Sequence, residues 1–348
     1  TALPCVYRPT ITSMYHGVPI ARCGFRSTRG ERDFPAQNPI TSPLPYHPRM
    51  FGSHLSIAGG MVNALTSARE LELDCVQVFT KNQRQWNVKP LAEEDRQAWL
   101  DELGAMNWTT CEKQSRVVSH NSYLINMASP DKATRTKSIN LQRDEMERCE
   151  ALDIPLLVAH PGAHLGLSRS PKEPNDLTAE PNEDERAGLD RIIAALDQLH
   201  ADLPGLRVIT CLETTVGSGT NLGYAFHHLK YLREGVKEPE RVGFCFDTCH
   251  VTAAGYDMTT DAKAAAVLEE WDDVCGFDGL YCFHFNDSVG AVGSRKDRHA
   301  HIAEGTCGRS CFRAIVNHPR FQSVPKILET PKEDTPKGVP WDTETFGG

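Results

Sequence analysis

No apolar run in this chain approaches the roughly 20 residues needed to cross a bilayer, and nothing at its start reads as a secretory signal peptide. The expectation is a soluble protein outside the membrane. Positive charge is short as well: 37 basic against 46 acidic side chains give a net charge of −9. That excludes a protein holding nucleic acid by bulk positive charge, so any polyanion must be met by a local basic patch or by metal ions. None of the 12 cysteines forms a Cys-x-x-Cys pair. Cys75, Cys111, Cys149, Cys211, Cys275 and Cys282 stand singly, often in apolar runs where a thiol behaves as a small hydrophobe. Only Cys245/Cys249 and Cys307/Cys311 come close, with three residues between. A reducing compartment, not a disulfide framework, is expected. No Gly-x-Gly-x-x-Gly follows the first β-rich run, which removes the dinucleotide-binding fingerprint.

Residues 1–50 differ from the rest. They hold eight of the 22 prolines, six arginines, no lysine, and only Glu31 and Asp33 as acids. Their charge of +4 leaves −13 for residues 51–348. No hydrophobic periodicity survives that proline spacing, so this stretch is expected to be a disordered or loosely attached extension without a part in the chemistry. Met50 directly precedes a clean apolar strand and is a candidate start of translation. A targeting leader and a basic arm for nucleic acid are the other readings. The 348 residues suit one large domain, placed at 51–348.

From residue 51 a beat appears. Short β-rich apolar runs occur at 51–57, 75–80, 117–120, 155–160, 207–214, 242–248, 280–287 and 326–330, with helical spacing between them. Met61, Leu65, Ala68 and Leu71 share one helical face, and Leu189, Ile192, Leu196, Leu199 and Leu203 share another. Eight strands alternating with helices predict an α/β fold, a (β/α)8 TIM barrel forming a single domain. A doubly wound open sheet is the rival. Two loops are long, 166–185 and 288–308, and long loops at the carboxyl face of such a barrel belong to the site.

Six of the runs close on, or near, a side chain that binds metal: His120, His160, Glu213, Asp247, His284 and Glu329. A lone histidine at a strand end is usually structural, but a barrel gathers all its strand ends at one mouth. Asp247-Thr-Cys-His250 adds His250, and Asp297-Arg-His299 adds two more candidates in the long seventh loop. Nine such groups are too many for one ion. Mixed imidazole and carboxylate donors suit zinc, with manganese or iron as weaker candidates, and two or three ions sharing bridging carboxylates are expected. Cys245 and Cys249 are placed with the core-facing side chains.

Around the same mouth, Thr80-Lys-Asn-Gln-Arg-Gln-Trp86 mixes amides, cations and an indole. Tyr123 and Leu124 follow His120, and Ser294-Arg-Lys-Asp-Arg298 adds cations. Amides and arginines suit phosphates, and aromatic or apolar wedges fill gaps in a base stack.

The segments GSHLSIAGG, FTKNQRQW, HNSYLIN, AHPGAHLG, LETTVGSGTNLG, DTCH with AAGYD, HFNDS, GSRKDRHAHIAEG and ILET together resemble the endonuclease IV family of apurinic/apyrimidinic endonucleases, over about residues 51–330 and in family order. The resemblance implies a (β/α)8 barrel with three zinc ions per chain, which cuts double-stranded DNA 5′ to an abasic site. The products implied are a 3′-hydroxyl and a 5′-deoxyribose phosphate, and blocked 3′ ends are also cleared. It implies His120, His160 and bridging Glu213 around a first zinc. Glu213, Asp247, His284 and Glu329 would hold a second, and His250, Asp297 and His299 a third. It further implies a metal-bridging hydroxide as nucleophile, with Glu329 orienting or deprotonating that water. Asn82, Gln83, Arg84, Tyr123, Leu124 and Arg298 would meet the DNA, where a missing base makes flipping cheapest. A monomer in a bacterial cytoplasm is the expectation, a nucleus or organelle also fitting.

Three departures stand out: Asn121 where the family commonly has a carboxylate, the 166–185 insertion, and a proline-rich tail after Glu329 in place of a closing helix. The runner-up is a metal-dependent sugar isomerase or epimerase of the same barrel superfamily, which has no use for His250, Asp297 and His299. A DNA-binding module that has lost catalysis is the reading from another class.

Overall fold

The computed structural model describes residues 50–87, 89–108, 115–167 and 174–332, all within one compact unit. The expectations for residues 1–49, for the tail after residue 332 and for residues 168–173 of the insertion lie outside them.

All eight expected runs form strands, the first seven being β1 (Phe51–His54), β2 (Cys75–Val78), β3 (Val117–His120), β4 (Leu156–Ala159), β5 (Ile209–Glu213), β6 (Val242–Asp247) and β7 (Leu280–His284). A two-residue antiparallel ladder follows, β8 (Asp287–Ser288) with β9 (His299–Ala300), inside the long seventh loop. The eighth run is β10 (Lys326–Leu328). The eight barrel strands are all parallel and close in chain order, β10 pairing with both β7 and β1. All but β3 are shorter than the apolar runs that announced them.

Eight helices lie between them: α1 (Val62–Glu70), α2 (Glu93–Ala105), α3 (Lys132–Ala151), α4 (Glu183–Asp202), α5 (Phe226–Gly235), α6 (Thr248–Ala254), α7 (Asp261–Val274) and α8 (Arg309–Asn317). Helix α4 shows how local chemistry sets its start. Asn182 and Glu185 form a reciprocal capping box, and Leu189, Ile192, Leu196 and Leu199 then bury one face. Of the 166–185 insertion, Asn175 donates to the carbonyls of Val216 (3.1 Å) and Ala254 (2.9 Å), tying it over the loops after β5 and α6.

Two apolar layers result. The larger lies between barrel and helices, around Trp99, Phe226, Phe244, Phe246, Trp271 and Phe283. The smaller fills the barrel itself with Met50, Cys75, Val118, Leu156, Val158, Ile209, Cys211, Cys245, Cys282 and Ile327. Side chains alternate along a strand with period two. Hence His120 follows Val118, His160 follows Val158, Glu213 follows Cys211, Asp247 follows Cys245, His284 follows Cys282 and Glu329 follows Ile327 on the inward parity. At Gly52, a Cβ would stand 1.9 Å from the Cys75 carbonyl oxygen, so the β1–β2 approach requires glycine.

Candidate metal centre

Six strand-end side chains therefore point inward at one level above the barrel's apolar plug, the start of α6 supplies His250, and the seventh loop supplies Asp297 and His299. Their donor atoms fall into three adjoining groups, each within 4.8 Å: His120, His160 and Glu213; Glu213, Asp247, His284 and Glu329; His250, Asp297 and His299. Glu213 serves two of them. Its Oε2 lies 3.3 Å from His120 Nε2 and 2.9 Å from His160 Nε2, and its Oε1 lies 2.7 Å from His284 Nδ1. His284 Nδ1 is 3.2 Å from Glu329 Oε2 and 3.8 Å from Asp247 Oδ2. In the third group Asp297 Oδ1 is 3.2 Å from His250 Nε2 and 3.7 Å from His299 Nε2. Asp247 has two tasks: Oδ1 caps α6 by accepting from the His250 amide at 2.7 Å, while Oδ2 faces the centre.

The far nitrogen of most rings is already placed. His120 Nδ1 meets the Asn121 carbonyl at 2.7 Å, His250 Nδ1 the Thr214 carbonyl at 2.8 Å, and His299 Nδ1 the Glu329 carbonyl at 3.2 Å. A carbonyl only accepts, so each ring carries its proton there and a neutral ring offers a lone pair at Nε2. Those lone pairs face carboxylates, which also only accept. Nε2 of His250 and of His299 are buried without an aligned hydrogen-bond partner. A cation resolves that conflict. Donors about 2.0–2.2 Å from a tetrahedral zinc ion lie about 3.3–3.6 Å apart, close to the separations above, so the residues fit the metal.

Electrostatics agree. Burial alone would raise the Glu213 carboxyl, but the charges of His284 and His160, and a protonated His120 beside it, hold it well below the usual carboxylate range. Glu329 is likewise held down against burial, chiefly by His284 and His54. For Asp297, His250 and His299 outweigh burial and bring it to about 2. Burial would lower His250 and His284, yet the surrounding carboxylates raise both well above an ordinary imidazole. The cluster is an anionic socket in which protons or metal ions serve the same charge-balancing role.

Two members were not anticipated. Gln77, at the inward end of β2 and fully buried, donates from Nε2 to Glu329 Oε1 (2.6 Å) while its Oε1 meets His284 Nε2 (2.8 Å). His54, ending β1, lies 2.9 Å from Gln77 Nε2 and 3.5 Å from Glu329 Oε1. Both sit two residues past an inward position, so the parity rule finds them. What hid them is that an amide is not a metal-binding type and that the first apolar run continues past His54. Asn286, in the loop after β7, donates to Asp247 Oδ2 (2.8 Å) and accepts from the Glu329 amide (2.8 Å). Asn121 turns away from the centre and donates to Gln142 at 3.0 Å. Cys245 lies in the barrel interior as expected. Cys249 is fully buried as well, and in α6 its thiol donates to the Arg298 carbonyl, within 4.8 Å of the Asp247 and His299 donor atoms. A helix start, unlike a strand, does not keep the period-two parity.

Three of the six expected DNA-facing residues line the mouth. Asn82, Gln83 and Tyr123 line a cavity of about 430 Å3 together with His54, His299 and Glu329. Tyr123 is 61% exposed, its ring edge-on to Phe79 and against His120. Leu124 is half-buried and packs on the core, so Tyr123 is the more accessible of the pair. Arg84 and Arg298 are exposed.

A parallel barrel whose mouth gathers imidazole and carboxylate groups able to hold metal ions defines the class of the chain: an α/β barrel with a candidate metal centre. Residues 65–345 match the family model for the Xylose isomerase-like TIM barrel. Curated relatives are more specific. "Probable endonuclease 4" of Chloroflexus aurantiacus is 43% identical over 81% of this chain and 91% of its own length, and that of Geotalea daltonii is 43% identical over 81% and 92%. The crystal structure of endonuclease IV from Thermus thermophilus superposes with a TM-score of 0.68 at 29% identity, covering 86% of this chain and 97% of that one. The chain belongs to the endonuclease IV family.

Proposed function

We infer that this protein is a zinc-dependent AP endonuclease, hydrolysing the phosphodiester 5′ to an abasic site in double-stranded DNA to leave a 3′-hydroxyl and a 5′-deoxyribose phosphate, and clearing blocked 3′ ends. The observation that carries the reading is the set of three adjoining imidazole–carboxylate groups at one barrel mouth. His120, His160 and Glu213 would hold one zinc ion, Glu213, Asp247, His284 and Glu329 a second, and His250, Asp297 and His299 a third. Zinc ions there supply positive charge for the phosphate oxygens and a water acidified toward neutral pH. That answers the net charge of −9, since the field comes from the ions. Glu329, ionised, with Oε1 held by Gln77 and Oε2 3.2 Å from His284 Nδ1, would orient the attacking water and take its proton. Asn82, Gln83, Arg84 and Arg298 suit the backbone of the duplex, and the exposed Tyr123 ring suits the gap left by a missing base.

All nine donors come from one chain, which supports a monomer. Bacterial relatives and nine buried free cysteines support a cytoplasmic enzyme. Among the described residues no helix is long and apolar enough to cross a membrane. The isomerase reading leaves the third group without a task.

A duplex with one tetrahydrofuran abasic analogue tests the reading. Nicking on the 5′ side with a 3′-hydroxyl product is expected, and no nicking by the zinc-loaded protein would end it. Gln77→Leu removes the amide that fixes both Glu329 and His284, so zinc affinity should fall about 10- to 100-fold in competition with a chromophoric chelator. Wild-type affinity would make the amide incidental.

A further inference from the structure

Helix α3 carries a buried charge that the metal centre does not use. Glu145 is 1% exposed, and its Oε1 lies 3.2 Å from the ammonium of Lys81, itself 9% exposed. The same oxygen accepts from the Ser122 amide at 3.0 Å. Lys81 turns its other hydrogens to the carbonyls of Gln85 (3.4 Å) and Asn82 (3.5 Å), folding its own loop beneath itself. Ser122 Oγ donates to the Gln83 carbonyl at 2.6 Å and links the two loops directly. Gln142 and Arg148, three residues either side of Glu145, share its helix face. Gln142 takes the Asn121 amide, and Arg148 donates to the carbonyls of Thr80 (3.0 Å) and Lys89 (3.2 Å).

One helix face thus grips the loop after β2 and the loop after β3. Taking two charges out of water is costly, and an apolar pair of the same shape holds a fold as well. What charges add is direction: an ammonium with three hydrogens fixes three acceptors in place, two of them loop carbonyls. Resting on the reading above, in which these loops meet DNA, we propose that Lys81 and Glu145 are positioning residues for abasic-site recognition. They lock residues 80–86 to residues 121–124, so that Asn82, Gln83 and Tyr123 meet the duplex as one preformed surface. A loop ordered beforehand is not ordered at the expense of binding.

The double variant Lys81→Met/Glu145→Gln removes both charges and keeps an acceptor for the Ser122 amide, so no lone buried charge threatens folding. KM, kcat, zinc content and melting temperature are measured on the full chain with the tetrahydrofuran duplex. KM should rise about 10- to 100-fold with a much smaller fall in kcat, at wild-type zinc content, and the preference for abasic over intact duplex should shrink. Glu145→Gln alone should raise KM in the same direction. A wild-type KM in the double variant overturns the proposal while the endonuclease reading stands, as does a fall confined to kcat and zinc content. A wild-type protein that leaves the abasic duplex uncut takes both down.

Discussion

Glu329→Gln lowers the rate of abasic-site incision by about 10²- to 10⁴-fold, the range a positioned proton acceptor contributes, while binding of the abasic duplex changes little. The substitution keeps the shape of the side chain at the end of β10. What it removes is the negative charge that His284 and His54 stabilise against burial, and with it the acceptor for a proton from water. The residues proposed to meet DNA sit on other loops, after β2, β3 and β7, so affinity for the duplex is not expected to follow. Single-turnover incision at saturating zinc, set beside duplex binding by anisotropy, separates the two. Comparable turnover would remove Glu329 from the mechanism.

Stripping the metal has the larger structural consequence. Chelation should abolish incision, lower the melting temperature, and be reversed by zinc at close to three ions per chain but not by magnesium, whose preference is for all-oxygen sites. Full incision in excess chelator would sink the metal mechanism. The metal-free chain should also have its own pH dependence. Glu213 and Glu329 are depressed, so their contribution is present above about pH 4.5 and lost as pH falls through their folded values. His250 and His284 are raised, so theirs is present below about pH 6.5 and lost as pH climbs through their folded values. Between about pH 4.5 and 6.5 both are in force, and thermal melts of the stripped protein should peak there. Zinc affinity should run the other way and weaken as pH drops, because a protonated imidazole must release its proton to coordinate.

The pattern of residues alone determined a good deal. Eight short β-rich apolar runs specified the strands, and the recurrence of a donor side chain at the ends of six of them specified where chemistry sits. Cys211–Glu213 and Val118–His120 show why this was legible: inward parity is a property of the chain itself, with no need to know the neighbour. Asp247 and His250 were legible for a related reason, since three residues across a strand-to-helix junction are joined by local geometry.

Contacts between strands distant in the chain were not legible. Gln77 reaches Glu329 across 252 residues, and the meeting depends on closure of the barrel, which sets β1 between β2 and β10. An amide has no signature as a metal ligand, so only register reveals that it braces two of them. Lys81 and Glu145 read separately as a loop cation and a helix carboxylate, each fit for solvent; packing of α3 against the barrel buried both and made them partners. Local periodicity is written along the chain, whereas the pairing of strands, and the burial it forces on remote side chains, exists only once the sheet has closed.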